Sequence, residues 1–411
     1  MRLKVSKSPG SGKSGGKTMQ NNKVLITGIG IVSSLGEGID AHWNALVGKP
    51  EPRLDATSFA PYTVHPLGEV DWNLQIPKRS DQRQMETWQR LATYAAGLAL
   101  QDAGLKENEA VCSTMDMVVA SGGGERDLAV DTTILAEGRT AENRGVMLNQ
   151  RLSTELRPTL FLAQLSNLAA GNISIVHKVT GSSRTFMGEE ASGIAAIETA
   201  AARIRSGQST HMLVGSAYNT EHWDMLLGHE LGGYLKSDGW APLWQRQGSA
   251  GGGLVTGSGG VFLVLESAEH AEKRGAHAYA EIARITSDQI RRGRDDLKKT
   301  VSELMQKVVD GDEAPFIVSG ASGAHEPTAA EKAVIEALPG AAVRGVSGVI
   351  GHLREAQFPL SVALAAIAVS KGEAFPPLEE SEKPRDKPVS AAIATTIGVT
   401  RAEGAARLVK V

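Results

Sequence analysis

Two adjacent carboxylates, Glu189 and Glu190, stand where this chain is best built to do chemistry. They follow Arg184-Thr-Phe-Met-Gly188 and precede an Ala-rich run from Ala191 to Ile204, a strong helix stopped by Gly207. Arg184 to Met187 reads as the end of a strand. Strand, glycine corner and small-residue helix make an elbow whose first turn offers free backbone N–H groups and a positive dipole end. An enzyme would place a nucleophile there and lower its pKa. Acidic residues in a first helical turn also need no chemistry, since each stabilises the helix by about 0.3–1 kcal/mol. The single cysteine, Cys112, lies in a loop before the strand Met115 to Ala120, with no elbow or helix start directly after it. It reads as a structural thiol.

Two phosphate-binding patterns fail on inspection. In Ser8-Pro-Gly-Ser-Gly-Lys-Ser-Gly-Gly-Lys-Thr18 the required earlier glycine is replaced by Lys7 or Ser11, and no strand precedes either. Gly28-x-Gly30-x-x-Ser33 lacks the third glycine, and no acidic residue closes a second strand about twenty positions on. Residues 1–20 are basic and rich in Gly, Ser and Lys, and read as a disordered tail.

The remaining elements suit an α/β body. Aromatics are only 4% of the 411 residues while glycines number 46, which favours closely packed helices and sheets over a β-sandwich. The net charge of −3, with mixed signs, points to no nucleic-acid or membrane surface. No apolar run reaches the roughly 18 residues of a membrane span. One cysteine excludes an intrachain disulfide and fits a cytoplasmic setting. Continuous apolar strands are expected at Lys23–Ser33, Met212–Ala217 and up to Glu266, and a helix from Asp81 to Gly104. Helix Leu297–Val309, strand Pro315–Val318 and the turn Ser319-Gly-Ala-Ser-Gly323 repeat the helix, strand and glycine-turn order of residues 91–124. That echo suggests two βαβ-rich halves, at 21–266 and 267–411, across a charged bridge at 267–275.

Five pieces in order then carry a resemblance: Val24-Leu-Ile-Thr-Gly-Ile-Gly-Ile-Val-Ser, Asn167-Leu-Ala-Ala-Gly-Asn, Ala191-Ser-Gly with its Ala-rich helix, Gly257-Ser-Gly-Gly-Val-Phe-Leu-Val-Leu-Glu, and Gly351-His352. Over roughly residues 22–411 the chain resembles the β-ketoacyl-acyl-carrier-protein synthases of fatty-acid and polyketide synthesis. The resemblance implies a duplicated thiolase fold, five α-β-α-β-α layers built from two pseudo-equivalent halves, each with a mixed five-stranded sheet. It also implies a dimer through the strand entering the elbow, acyl carrier protein as a partner, and neither cofactor nor metal.

The family condenses an acyl chain with a malonyl unit using a cysteine and two histidines. The resemblance puts Glu190 at the cysteine position and His352 at the second histidine. The first histidine lies eleven residues before a glutamate, and counting back from Glu331 lands on Gly320. Ser347 takes the place of a lysine, and the closing loop reads Ile397-Gly-Val399-Thr-Arg-Ala-Glu. His325 reads as a loop histidine rather than a displaced catalyst. A carboxylate is a poor nucleophile towards a thioester. These losses resemble the chain-length-factor subunits that pair with a cysteine-bearing synthase. The competing expectations are an active synthase, or a malonyl-carrier-protein decarboxylase using Glu190 and His352, with a carrier-protein scaffold as a third. Glu190 is expected within a few ångströms of His352 in a closed pocket. A Glu190→Cys, Gly320→His pair is expected to regain more activity than either change alone.

Overall fold

The computed structural model describes residues 22–411; the tail at 1–20 lies outside the described residues. The strands lie in two halves, and the continuous apolar runs Val24–Ser33, His211–Tyr218 and Gly259–Ser267 are buried along their whole length. In the first half the strands are β1 (Val24–Ser33), β2 (Asp116–Ser121), β3 (Ser183–Met187), β4 (His211–Tyr218) and β5 (Gly259–Ser267). In the second they are β6 (Ala280–Asp288), β7 (Phe316–Ser319), β8 (Ala342–Gly345), β9 (Ala391–Ile397) and β10 (Glu403–Val409). A two-residue strand, Gly36–Glu37, pairs back onto β1.

The sheet order is β3-β2-β4-β5-β1-β6-β10-β9-β7-β8. Numbering strands within each half gives 3-2-4-5-1 from either outer edge. The pairing senses match as well. The second strand is parallel to the third and the fourth, and the fifth is antiparallel to the fourth and the first. The duplication hinted at by one echo of elements is thus a full repeat of topology. The two sheets are not separate, however. Leu25 pairs with Glu281 and Ile26 with Ala280, so β1 and β6 join them edge to edge in one large mixed sheet.

Strand alternation assigns each residue to a layer. Val118 and Ala120, Met212 and Val214, Phe316 and Val318, and Ala392 and Ala394 all face one shared central core. Their neighbours Met117, Val119 and Leu213 face an outer core with helices α1 (Thr87–Asp102) and α2 (Leu168–His177). Ile317 and Ile393 face the opposite outer core with α4 (Leu297–Val309) and α5 (His325–Glu336). Between the halves lie α3 (Glu190–Arg205) and α6 (Gln357–Lys371), packed on each other and on strands of both halves. Helices at either side and in the middle, with half-sheets between, give the expected five layers. A helix packed on every side is mostly apolar all round, and α6 is: apart from Gln357 and Ser361 its residues to Val369 are apolar, and all are buried.

Several boundaries differ from the sequence reading. The helix expected from Asp81 to Gly104 breaks at Met85, whose extended backbone separates Arg79–Gln84 from α1. The charged bridge is a short helix, Ala268–Arg274, and β6 follows it unannounced because β6 is buried on one face only near its start. Gly28 and Gly30 belong to helix packing. A Cβ at Gly30 would lie 2.1 Å from the Ala95 carbonyl oxygen of α1.

Candidate active site at the start of the central helix

β3 runs out at Met187, Gly188 turns the chain at φ +149°, and α3 begins at Glu190. Ile194, Ile197, Ala200, Ala201 and Ile204 bury α3 in the central core. Gly193 lets the first turn touch the other half, because a Cβ there would sit 2.2 Å from the Glu355 carbonyl oxygen. The Gly-rich segment before β5 fixes His352 from behind. His352 donates its backbone N–H to Val255 O at 3.0 Å, and Gly257 donates to His352 O at 3.0 Å.

These supports bring Glu190 and His352 together across 162 positions of chain, with Glu190 Oε1 2.6 Å from His352 Nε2. Both side chains are buried, at 1% and 0% exposure. Burial alone would raise the Glu190 carboxyl. The hydrogen bond and charge of His352, with a backbone N–H, outweigh it and hold the carboxyl at about 2. His229, from the helix Trp223–Glu230, is buried beside the pair. Burial first, then the charge of Arg354, lowers its pKa to about 3, so it is neutral at pH 7.

A second ring of charge surrounds the pair. Glu189 Oε1 lies 3.5 Å from Arg354 Nη2, and Thr400 Oγ1 donates to Glu189 Oε2. Arg354 sits in the left-handed region at φ +48°, a cost of about 1 kcal/mol or more for a residue with a Cβ. Its guanidinium lies over the Tyr218 ring at 5.9 Å, with Nε 3.6 Å from Glu355 Oε1. Glu355 is 1% exposed, and burial raises its carboxyl to about 7 against the opposing charge of Arg354.

The other residues singled out in the sequence fall elsewhere. Glu331 is buried on α5, and its Oε1 accepts from Ser319 Oγ at 2.8 Å and Thr395 Oγ1 at 2.5 Å. That ties β7 to β9 and leaves it out of the Glu190–His352 pair. Gly320 has no room for a side chain. A Cβ would meet Thr396 Oγ1 at 2.4 Å, Thr395 O at 2.8 Å and Ser361 Oγ at 2.9 Å. Ser347 is fully buried. Ile397 packs into the outer core of the second half, while Val399 packs with Val64, Leu226 and Leu254. From the closing loop it is Thr400 that reaches the elbow. His325 lies 3.4 Å from Ser249 Oγ, and Cys112 is buried with Sγ 3.4 Å from Leu105 O. No thiol approaches the helix start. Sequence reading passed over His229, Arg354 and Glu355. The last two had a signal: a charged pair directly after Gly351-His352-Leu353, in an otherwise apolar stretch.

A family model described as "Beta-ketoacyl synthase, N-terminal domain" matches residues 21–271. The chain belongs to the β-ketoacyl synthase family. It is 26% identical over 274 residues to 3-oxoacyl-[acyl-carrier-protein] synthase 2 of Vibrio cholerae, covering 64% of this chain and 62% of that protein. The Rhizobium meliloti protein of the same name is 30% identical over 279 residues, covering 63% and 62%. The chain thus spans under two thirds of these relatives' length. Among solved structures, the ishigamide ketosynthase/chain length factor aligns with a TM-score of 0.75 at 19% identity, over 95% of this chain and all of that one. A β-ketoacyl synthase from Burkholderia phymatum aligns equally well, at 0.75 and 20% identity, with the same coverage. A type II polyketide ketosynthase solved with its acyl-carrier protein gives 0.72 at 15%, again over 95% and 100%. These establish the ketosynthase fold. Among the described residues, no helix is long and apolar enough to cross a membrane.

Glu355 makes stability depend on pH in a calculable direction. Its folded pKa lies above the ordinary 4.5, so the folded state holds a proton that the unfolded state releases between 4.5 and about 7. Its contribution is complete below that window and is lost as pH rises through about 7. Glu190, depressed to about 2, acts in the other direction but only below 4.5. We expect wild type to lose stability relative to Glu355→Gln by the equivalent of a few kcal/mol between about pH 5 and about pH 8, on top of the opposite slope that buried neutral histidines such as His229 give both proteins below about 6.5. An unchanged slope in the variant would remove Glu355 from the account.

Proposed function

We propose that this protein is a non-condensing member of fatty-acid or polyketide synthesis, acting as a chain-length-factor-like partner of a cysteine-bearing synthase. The carrying observation is the pair itself. The residue at the nucleophile position is a carboxylate already bound, at 2.6 Å and out of solvent, by the retained histidine. An acyl thioester finds neither a nucleophile nor an open donor there. A glycine without side-chain space at the other histidine position removes the second donor to an enolate.

Features of the surface support a partner. β3 ends the sheet, so its outer edge carries backbone groups that a second subunit can pair, and Met187 at its end is 71% exposed. Leu135, Leu148, Leu152, Trp223 and Leu227, each more than a third exposed, line one open apolar cavity. Acyl carrier protein would deliver chains to the partnered complex.

The test is co-expression with a cysteine-bearing synthase. A one-to-one complex that condenses, and that loses activity only when the partner's cysteine is replaced, supports the reading. Alone, the chain is expected as a homodimer by light scattering. Full condensation or malonyl-carrier-protein decarboxylation by the purified chain alone would replace this reading with the enzymatic one.

A further inference from the structure

We propose that the cavity between Pro50, Pro52, Trp240, Pro242, Glu379 and Glu380 is a binding site for a small organic cation, an ammonium group on an apolar body. Four stretches of chain build it: the turn after the helix Gly38–Val47, the segment Trp240 to Gln245, the short helix Ser347–Ile350, and the segment Leu378 to Glu380. Neither Glu190 nor His352 lines it, so the site stands apart from the elbow. Its volume of about 420 Å³ falls within the range of small-molecule sites. At the roughly 30 Å³ that a water takes in the liquid, it has room for about a dozen non-hydrogen atoms.

The walls select the ligand. Three proline rings, with Val349 and Leu378, make the body of the cavity apolar, and proline carries no backbone N–H. Trp240 Nε1 is sealed from solvent, so the indole turns ring carbon rather than its donor to the cavity. Gln245 is the one other neutral polar side chain on the wall, and both charged side chains are carboxylates. A lining of carbon and acceptors, poor in donors, calls for a ligand that donates and carries positive charge. The Trp240 ring adds its own attraction for a cation. An anion of the same size would meet two negative charges there.

Glu379 is held in position by the main chain. Its carboxylate accepts from the Leu243 backbone N–H and, at 3.3 Å, from that of Trp244. A carboxylate has about four lone-pair sites, so these two bonds leave room for an ammonium. Burial raises the Glu379 carboxyl, against those N–H groups and the charge of buried Arg246, which does not line the cavity. Glu380 is exposed and supplies its charge without that desolvation. An ammonium between the two is therefore drawn by one fixed carboxylate and one free one.

Phenethylamine titrated into the full chain at about pH 7, by calorimetry and by ligand-observed NMR, tests this. For a ligand of about nine non-hydrogen atoms we expect a Kd of about 1–10 mM. The alcohol 2-phenylethanol, the same body without the charge, should bind about tenfold more weakly, and 3-phenylpropionate should not bind. Glu379→Gln keeps an oxygen for the two backbone N–H groups and should weaken phenethylamine about tenfold. Trp240→Leu should weaken it about fivefold, with circular dichroism confirming the fold of both variants. Glu380→Gln changes only an exposed side chain, so it reads the site even where a buried change does not fold, and should weaken binding about threefold. No binding up to about 50 mM, equal affinity for 2-phenylethanol, or unchanged affinity in both glutamine variants would each overturn the site.

Discussion

Purified alone, the protein should form no measurable carbon–carbon bond from acyl- and malonyl-carrier protein, and Glu190→Cys should restore acyl transfer without restoring condensation. The thiol would stand at a helix start beside His352, where its pKa falls below the free value of about 8.5. Acyl-enzyme should then be visible by mass spectrometry. Condensation needs two donors for the developing enolate, and removing one typically costs about 10²–10³. On the proposed reading His352 is one, and Gly320 provides none. The sequence suggests adding Gly320→His, but the structure corrects that. Thr396 and Ser361 could be trimmed, but the Thr395 carbonyl, 2.8 Å from any Cβ at 320, is main chain and cannot. The double variant should therefore condense no better than Glu190→Cys, and should be less stable. Wild-type turnover within about tenfold of ordinary enzymes, ~1–10³ s⁻¹, would sink the non-condensing assignment.

His352→Ala should destabilise the fold by about 3–5 kcal/mol, whereas replacing both partners by apolar residues should cost little. Removing the imidazole strands the Glu190 carboxylate in the core, and an uncompensated buried charge is what makes such losses large. A Glu190→Met, His352→Leu protein has no charge to strand, and should lie within about 1 kcal/mol of wild type or above it. Urea unfolding of both single variants and the double closes the cycle. A His352→Ala loss under about 1 kcal/mol would mean that the pair is not ionised in the folded protein.

Local composition revealed more of the layers than of the site. The apolar runs at Lys23–Ser33, Met212–Ala217 and up to Glu266 read as strands buried on both faces, and the Ala-rich run after Gly188 as a helix, as the structure has them. Local composition suffices there, because burial on every side leaves a continuous apolar signature. The elbow was legible too, since Gly188 and the small residues after it are a local pattern. That Glu190 turns inward towards His352, as the structure confirms, was expected only through the family resemblance and not from any local pattern. It depends on His352, 162 positions away, and on backbone contacts through Gly193 and Gly257 that no window of sequence contains. The same holds for Gly320, which by counting marks a lost histidine and by packing marks a position closed by Thr395, Thr396 and Ser361. Glu331 kept its family spacing, yet its neighbours make it a tie between strands. Arg354 and Glu355 drew no reading from the sequence. Only the closing of two half-sheets around α3 and α6 removes them from water, and desolvation is what turns a surface carboxylate into a group titrating near neutrality.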